Sequence, residues 1–125
     1  MVLAVCSTSN ERAVHLILEK LLGAERKSRF GAVLAGDVVS KKKPDPEIYE
    51  LAKQRLGRRG EDCVVVEDSR NGLLAATRAD MHCLVTTTAY TADEDFSEAD
   101  RVVAGLGDPP GAVVTLESLR QMTAG

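Results

Sequence analysis

Apolar positions along this chain follow two patterns that alternate. Short unbroken apolar runs occupy residues 2–6, 32–35 and 63–66, a fourth at 84–87 begins Leu84-Val85, and Val102-Val103 is a last short one. Runs of this length, without an alternating polar face, read as strands buried on both sides in a parallel sheet under helices. Between them, apolar residues recur at helical spacing. Val14, Ile17, Leu18 and Leu21 form one stripe, and Ile48, Tyr49, Ala52 and Leu56 form another. Further helices are predicted from about Asn71 to Ala79 and from Leu116 to Met122. Punctuation agrees with this reading. Thr8 with Glu11 fits a capping box, Asp45-Pro46 a helix start, and Gly23 and Gly57 helix ends. Asp108-Pro109-Pro110-Gly111 reads as a turn. Strand–helix alternation of this kind predicts an α/β domain with a mostly parallel sheet and right-handed crossovers.

Length and charge narrow the function classes. At 125 residues the chain has room for one domain, and a net charge of -3 with 3% aromatics argues against a nucleic-acid partner. No apolar run approaches the ~20 residues of a membrane-spanning helix. The start, Met1-Val2-Leu3-Ala4-Val5-Cys6, lacks the basic flank and long apolar stretch of a signal peptide, so a soluble location without a membrane partner is expected. Cys6, Cys63 and Cys83 have no paired spacing and read as free thiols beside strands. His15 and His82 have no ligand partner at a useful spacing and read as structural or surface residues.

Three motifs stand where strands give way to helices. Val64-Val65-Val66-Glu67-Asp68-Ser69 ends an apolar run in two carboxylates at the carboxyl end of the sheet, where open α/β folds place ligands. Such hard oxygens suit Mg²⁺, although acids and a hydroxyl at a helix start also serve as caps. Ser7-Thr8-Ser9-Asn10 offers hydroxyls and free N–H groups at a helix N-terminus, which is either a phosphate cradle or simple capping. Lys41-Lys42-Lys43-Pro44-Asp45-Pro46 places an ammonium beside a rigid turn, to meet a phosphate or only solvent. Phosphate donors, one ammonium and a carboxylate pair are what phosphoryl transfer requires, because positioning and charge stabilise its transition state.

The order of these motifs resembles the haloacid dehalogenase-like hydrolase superfamily. Lys43-Pro44-Asp45-Pro46-Glu47-Ile48-Tyr49 and Val66-Glu67-Asp68-Ser69-Arg70-Asn71-Gly72-Leu73 are similar to its phosphoglycolate phosphatase and β-phosphoglucomutase branch. With Gly36-Asp37-Val38-Val39 and Tyr90-Thr91-Ala92-Asp93-Glu94-Asp95-Phe96, the chain most resembles the CbbY-like sugar-phosphate phosphatases. The resemblance implies Mg²⁺-dependent hydrolysis of a sugar phosphate, xylulose 1,5-bisphosphate for this branch, through an aspartyl-phosphate. It implies that Ser7, Thr8 and Asn10 bind phosphate, that Lys43 binds it and acts in catalysis, and that Glu67 and Asp68 hold the metal with Asn71 nearby. A chloroplast stroma location is implied by the plant members, and a cytoplasmic one otherwise.

The family's first motif, an Asp-x-Asp ending its first strand, is absent from residues 1–125, as is its helical cap. Asp93-Glu94-Asp95 follows a threonine-rich loop and cannot replace it. The chain therefore resembles an incomplete Rossmann-like core carrying motifs two to four, and without the nucleophile it is expected to be inactive alone. In the family the missing strand is central. Its neighbours here must pair directly, leave a gap, or accept a strand from another chain, and exposed edges invite self-association. Two readings stand at this point: part of a phosphatase, or a non-catalytic phosphate- or magnesium-binding interaction module.

Overall fold

Each apolar run becomes a strand and each helically spaced segment a helix in a computed structural model that describes residues 1–107 and 114–124. Strand β1 (Ala4–Cys6) leads into helix α1 (Glu11–Ser28), and strand β2 (Ala32–Leu34) returns parallel to β1. A single 3₁₀ turn, Gly36–Val38, and the lysine loop precede helix α2 (Glu47–Leu56). Strand β3 (Val64–Glu67), helix α3 (Arg70–Arg78) and strand β4 (His82–Thr86) form the next unit. Strand β5 (Arg101–Val103) and helix α4 (Leu116–Ala124) complete the described chain. The expected 108–111 turn lies outside the described residues.

All pairing is parallel, as the buried runs predict, but the sheet is split. β1 pairs with β2, while β3, β4 and β5 form a second sheet in that order. Among the described residues no strand pairs with the second edge of β1 or of β3. Of the three outcomes open to strands without a central partner, the structure has the gap.

The core lies mainly on the three-stranded side. Leu73, Cys83, Leu84 and Val85 are fully buried where α3 covers β4. Helix α2 bridges the two sheets. It buries Ile48, Tyr49 and Ala52 while packing on β1, β2 and α3.

Some boundaries differ from expectation and others meet it. Asn10, not Thr8, caps α1, its Oδ1 accepting from the Ala13 N–H at 2.8 Å. The Ser7 N–H donates to the Leu34 carbonyl at 2.9 Å, so the chain leaves the sheet later than a Thr8 cap allows. Gly23 (φ 83°, ψ 158°) is non-helical and ends the first part of α1 as expected, a second helical part follows directly, and a Lys27–Glu19 ion pair of 2.8 Å spans the break. α2 spans Glu47–Leu56, and the Asp45 carboxylate accepts from the Glu47 N–H at 3.0 Å, the bond expected of an Asp45 cap before Pro46. α3 starts one residue early at Arg70, capped by Ser69. Asp80 takes a left-handed conformation (φ 59°) just past α3. A short polar side chain tolerates that region better than most.

Candidate active site

The carboxyl ends of β1 and β3 are joined by one side chain. Lys43 lies in the loop that Pro44 and the start of α2 hold in place. Its Nζ donates to the Cys6 carbonyl at 3.0 Å and meets Glu67 Oε1 at 2.5 Å. The Tyr49 hydroxyl donates to the same Glu67 oxygen, and the Lys43 ammonium sits 5.0 Å from the centre of the Tyr49 ring. The Lys43 and Glu67 side chains are only 10% and 9% exposed, so this ion pair is shielded from water. Gly72 completes the arrangement, because a Cβ there would overlap the Glu67 carboxylate. Lys41 and Lys42 are exposed. The proline turn thus selects one lysine of three.

Electrostatics keep the neighbours neutral. Burial pushes the Tyr49 hydroxyl far up, and the charge and hydrogen bond of Glu67 add to this, so the phenol remains a donor. Burial raises the Cys6 thiol to about 11, opposed by Lys43 and assisted by Glu67. A thiol held protonated is a poor nucleophile.

The remaining candidates lie around this pair. Asp68 follows Glu67 at the end of β3. It is exposed, and its carboxylate makes no hydrogen bond or ion pair with another described residue. Asn71 is exposed in the first turn of α3. Ser7 directly follows Cys6, is half-buried, and accepts from the Ser9 N–H at 3.1 Å. Thr8 and Asn10 are exposed. The start of α1 is already occupied by acceptors, since Asn10 takes the Ala13 N–H and Asp37 Oδ1 takes the Glu11 N–H at 3.0 Å. The acidic 93–95 segment lies at the start of α3, where Glu94 accepts from the Arg70 N–H at 2.7 Å.

Among the described residues no group of three or more His, Cys, Asp or Glu residues is placed to hold a metal ion. Mg²⁺ needs no such cage, since it usually takes one or two carboxylates and fills its shell with water and phosphate. The open oxygens of Asp68 fit that requirement. Glu67, at the end of β3, is already held by Lys43 and Tyr49.

Tyr49, Gly72 and Asp37 belong to this site or brace it, and their roles were not read from the sequence. In the sequence Tyr49 stands only in the apolar stripe of its helix. The available signal was chemical, since a buried tyrosine hydroxyl needs a partner. Glycine in the first turn of a helix was a second signal, marking close approach by another group.

The family model for haloacid dehalogenase-like hydrolases matches residues 2–80. A CBBY-like protein of Arabidopsis thaliana is 59% identical over 107 residues, covering 86% of this chain and 33% of that protein. The plasmid-encoded CbbY of Cupriavidus necator is 37% identical over 107 residues, covering 86% of this chain and 42% of that protein. Among solved structures, a mutant CbbY from Rhodobacter sphaeroides in complex with xylulose 1,5-bisphosphate superposes with a TM-score of 0.81. It shares 37% identity, over 94% of this chain and 51% of that one. The chain thus spans between a third and about half of the length of these relatives.

Proposed function

The chain belongs to the haloacid dehalogenase-like hydrolases, and from that premise we propose that it forms the lysine- and metal-bearing part of a sugar-phosphate phosphatase. The observation that carries the reading is the shielded Lys43–Glu67 pair beside the open carboxylate of Asp68. A fixed ammonium near a transferring phosphate stabilises developing charge without reorganising, which is the main requirement of this chemistry. In this reading Lys43 binds the phosphate and offsets its charge. Ser7 and the Thr8 amide contact the phosphate oxygens, and Asn10 holds their turn against α1. Asp68 ligates Mg²⁺, Glu67 completes the metal's surroundings while holding Lys43, and Asn71 lies near the metal. Bound Mg²⁺ would supply Lewis-acid polarisation of the phosphoryl oxygens. The nucleophilic aspartate comes from polypeptide outside residues 1–125, which form the core segment bearing motifs two to four. Xylulose 1,5-bisphosphate is the substrate we favour, because a similar CbbY has been solved with it. Likeness to a plant CBBY-like protein supports a chloroplast location. No helix among the described residues is long and apolar enough to cross a membrane.

The absence of Asp-x-Asp supports a second reading, a non-catalytic phosphate- or magnesium-binding module. Phosphate release from xylulose 1,5-bisphosphate with Mg²⁺ decides between them. The chain alone is expected to be inactive. Combined with the part of a CbbY relative that supplies Asp-x-Asp, it should turn over. Asp68→Ala should then lose more activity than Glu67→Ala, because a direct ligand also sets the geometry of the bound phosphate. Equal turnover of wild type and Asp68→Ala in that mixture overturns the assignment.

A further inference from the structure

The loop between β1 and α1 is held along its length by the chain that leaves β2. The two strands are parallel and in register, so their carboxyl ends lie side by side. The Ser7 N–H donates to the Leu34 carbonyl at 2.9 Å, and the Gly36 N–H donates to the Ser9 carbonyl at 2.8 Å. The Glu11 N–H donates to Asp37 Oδ1 at 3.0 Å. Between these bonds the two backbones touch, because a Cβ at Gly36 would overlap the Thr8 carbonyl group. Gly36 is buried and opens the 3₁₀ turn, which the Val38 N–H closes on the Ala35 carbonyl at 3.1 Å. Two donors stay open in the loop. Ser7 Oγ accepts from the Ser9 N–H at 3.1 Å, which leaves its own proton to give. The Thr8 N–H makes no hydrogen bond with another described residue. The amino end of α1 is less open, since Asp37 takes the N–H of Glu11 and Asn10 that of Ala13.

We infer that Gly36 and Asp37 are positioning residues that hold the Ser7–Ser9 loop in its phosphate-receiving shape before any ligand arrives, resting on the phosphatase reading for the identity of that ligand. They also direct the phosphate to the Ser7 and Thr8 donors rather than to the end of α1. Glycine is required at 36 because two backbones meet there and leave no room for a side chain. Asp37 acts through its charge and its hydrogen bond. Its carboxylate is an anion at the amino end of a helix, where the dipole favours negative charge. It satisfies the Glu11 N–H and repels a second anion from the same place. The phosphate is left with Ser7 Oγ and the Thr8 N–H. These directly follow Cys6, whose carbonyl accepts from Lys43 Nζ at 3.0 Å, so the open donors and the ammonium stand together at the end of β1. Donors fixed in advance need no reorganisation when charge arrives, which is the condition for stabilising a transferring phosphate. The turn thus does for Thr8 what Pro44 does for Lys43.

Backbone amide relaxation and titration with inorganic phosphate, both on the full chain, test this. Without phosphate, residues 7–9 should have order parameters near about 0.85, those of rigid backbone, and Asp37→Ala should lower them toward about 0.6. Asp37→Asn keeps an acceptor oxygen and should leave them high. In the titration the Thr8 amide resonance should shift. Gly36→Ala should weaken phosphate binding by about tenfold, the usual loss of one hydrogen bond to a charged group. Asp37→Ala should bind phosphate about threefold more weakly than Asp37→Asn, and because both lack the carboxylate charge the difference reads the hydrogen bond alone. Asp37 is exposed, so its variants keep the fold intact if Gly36→Ala does not. Mobile residues 7–9 in the wild type, or equal order parameters and affinities in the two Asp37 variants, overturn the inference. So does a folded Gly36→Ala chain that binds phosphate as the wild type does. If the Thr8 amide of the wild type ignores phosphate, the phosphatase reading falls and takes the ligand with it, while a rigid loop that loosens in Asp37→Ala still upholds the brace.

Discussion

Helices α1 and α3 follow equivalent strands, yet they differ in what they bury. The nine residues of α3 bury Gly72, Leu73, Ala75 and Ala76, while the eighteen residues of α1 bury only Val14. Leu16, Ile17 and Leu21 of α1 are 56%, 55% and 74% exposed. Apolar content does not explain the contrast, because both helices carry a hydrophobic stripe. What differs is the surface beneath. α3 packs between β4 and α2 on the three-stranded side, whereas α1 belongs to a sheet of two strands. A helix is buried by the width of the sheet available to it, and the gap leaves the first half narrow. The two halves are held together by α2 and by Lys43, which reaches from the first half to Glu67 in the second.

The largest effect should come from cutting that tie. Lys43→Ala leaves Glu67 shielded without its cation, and breaking such a pair by removing one partner costs about 3–5 kcal/mol. Lys41→Ala, on the exposed side of the same loop, should stay within about 0.5 kcal/mol. Urea unfolding of both variants gives the answer, and equal midpoints would show that the halves do not depend on this pair. In the reconstituted enzyme, Lys43→Ala should also cut turnover by about 10²–10³-fold, the usual loss when a preorganised charge stabiliser is removed.

The contrast between the helices is sharpened by truncating one leucine in each. Leu73 is 0% exposed, and Leu73→Ala should cost about 2–5 kcal/mol through lost burial and the cavity left behind. Leu21→Ala should change stability by no more than about 0.5 kcal/mol in the isolated chain. A comparable loss at Leu21 would mean that α1 has a partner surface in solution.

The smallest effect concerns the lysine loop. Glu47 is held below the usual carboxylate range because its carboxylate accepts from the Ser40 and Lys41 N–H groups. A depressed folded value means that its contribution is present above the unfolded carboxylate value and is lost as pH falls through the folded one. Glu47→Gln should therefore lower stability slightly at neutral pH and flatten its decline on the acid side. Unfolding midpoints from neutral to acid pH read this directly, and parallel curves for the two proteins would contradict it.

Element types were legible in the sequence because runs and stripes differ in period. Ends were less so, since Thr8 and Asn10 are both good caps and a sheet hydrogen bond at Ser7 made the choice. Family membership could be read from ordered motifs spread over most of the chain. Lys43 was separable from its neighbours through Pro44, which restricts the residue before it. The hold on Glu67 was hidden. It combines a helix-face tyrosine, a lysine 24 positions earlier and a glycine valued for having no side chain, three signals that meet only in space.

That 24-residue separation also sets an order of events during synthesis. Ribosomes extend chains at roughly 5–20 residues per second, so Lys43 emerges about one to five seconds before the acid that will hold it. Through that interval β1 and β2 can pair and the ammonium can meet the Cys6 carbonyl, but the acid that ties it to β3 has not yet been made. The first half of the fold is built early and fastened late.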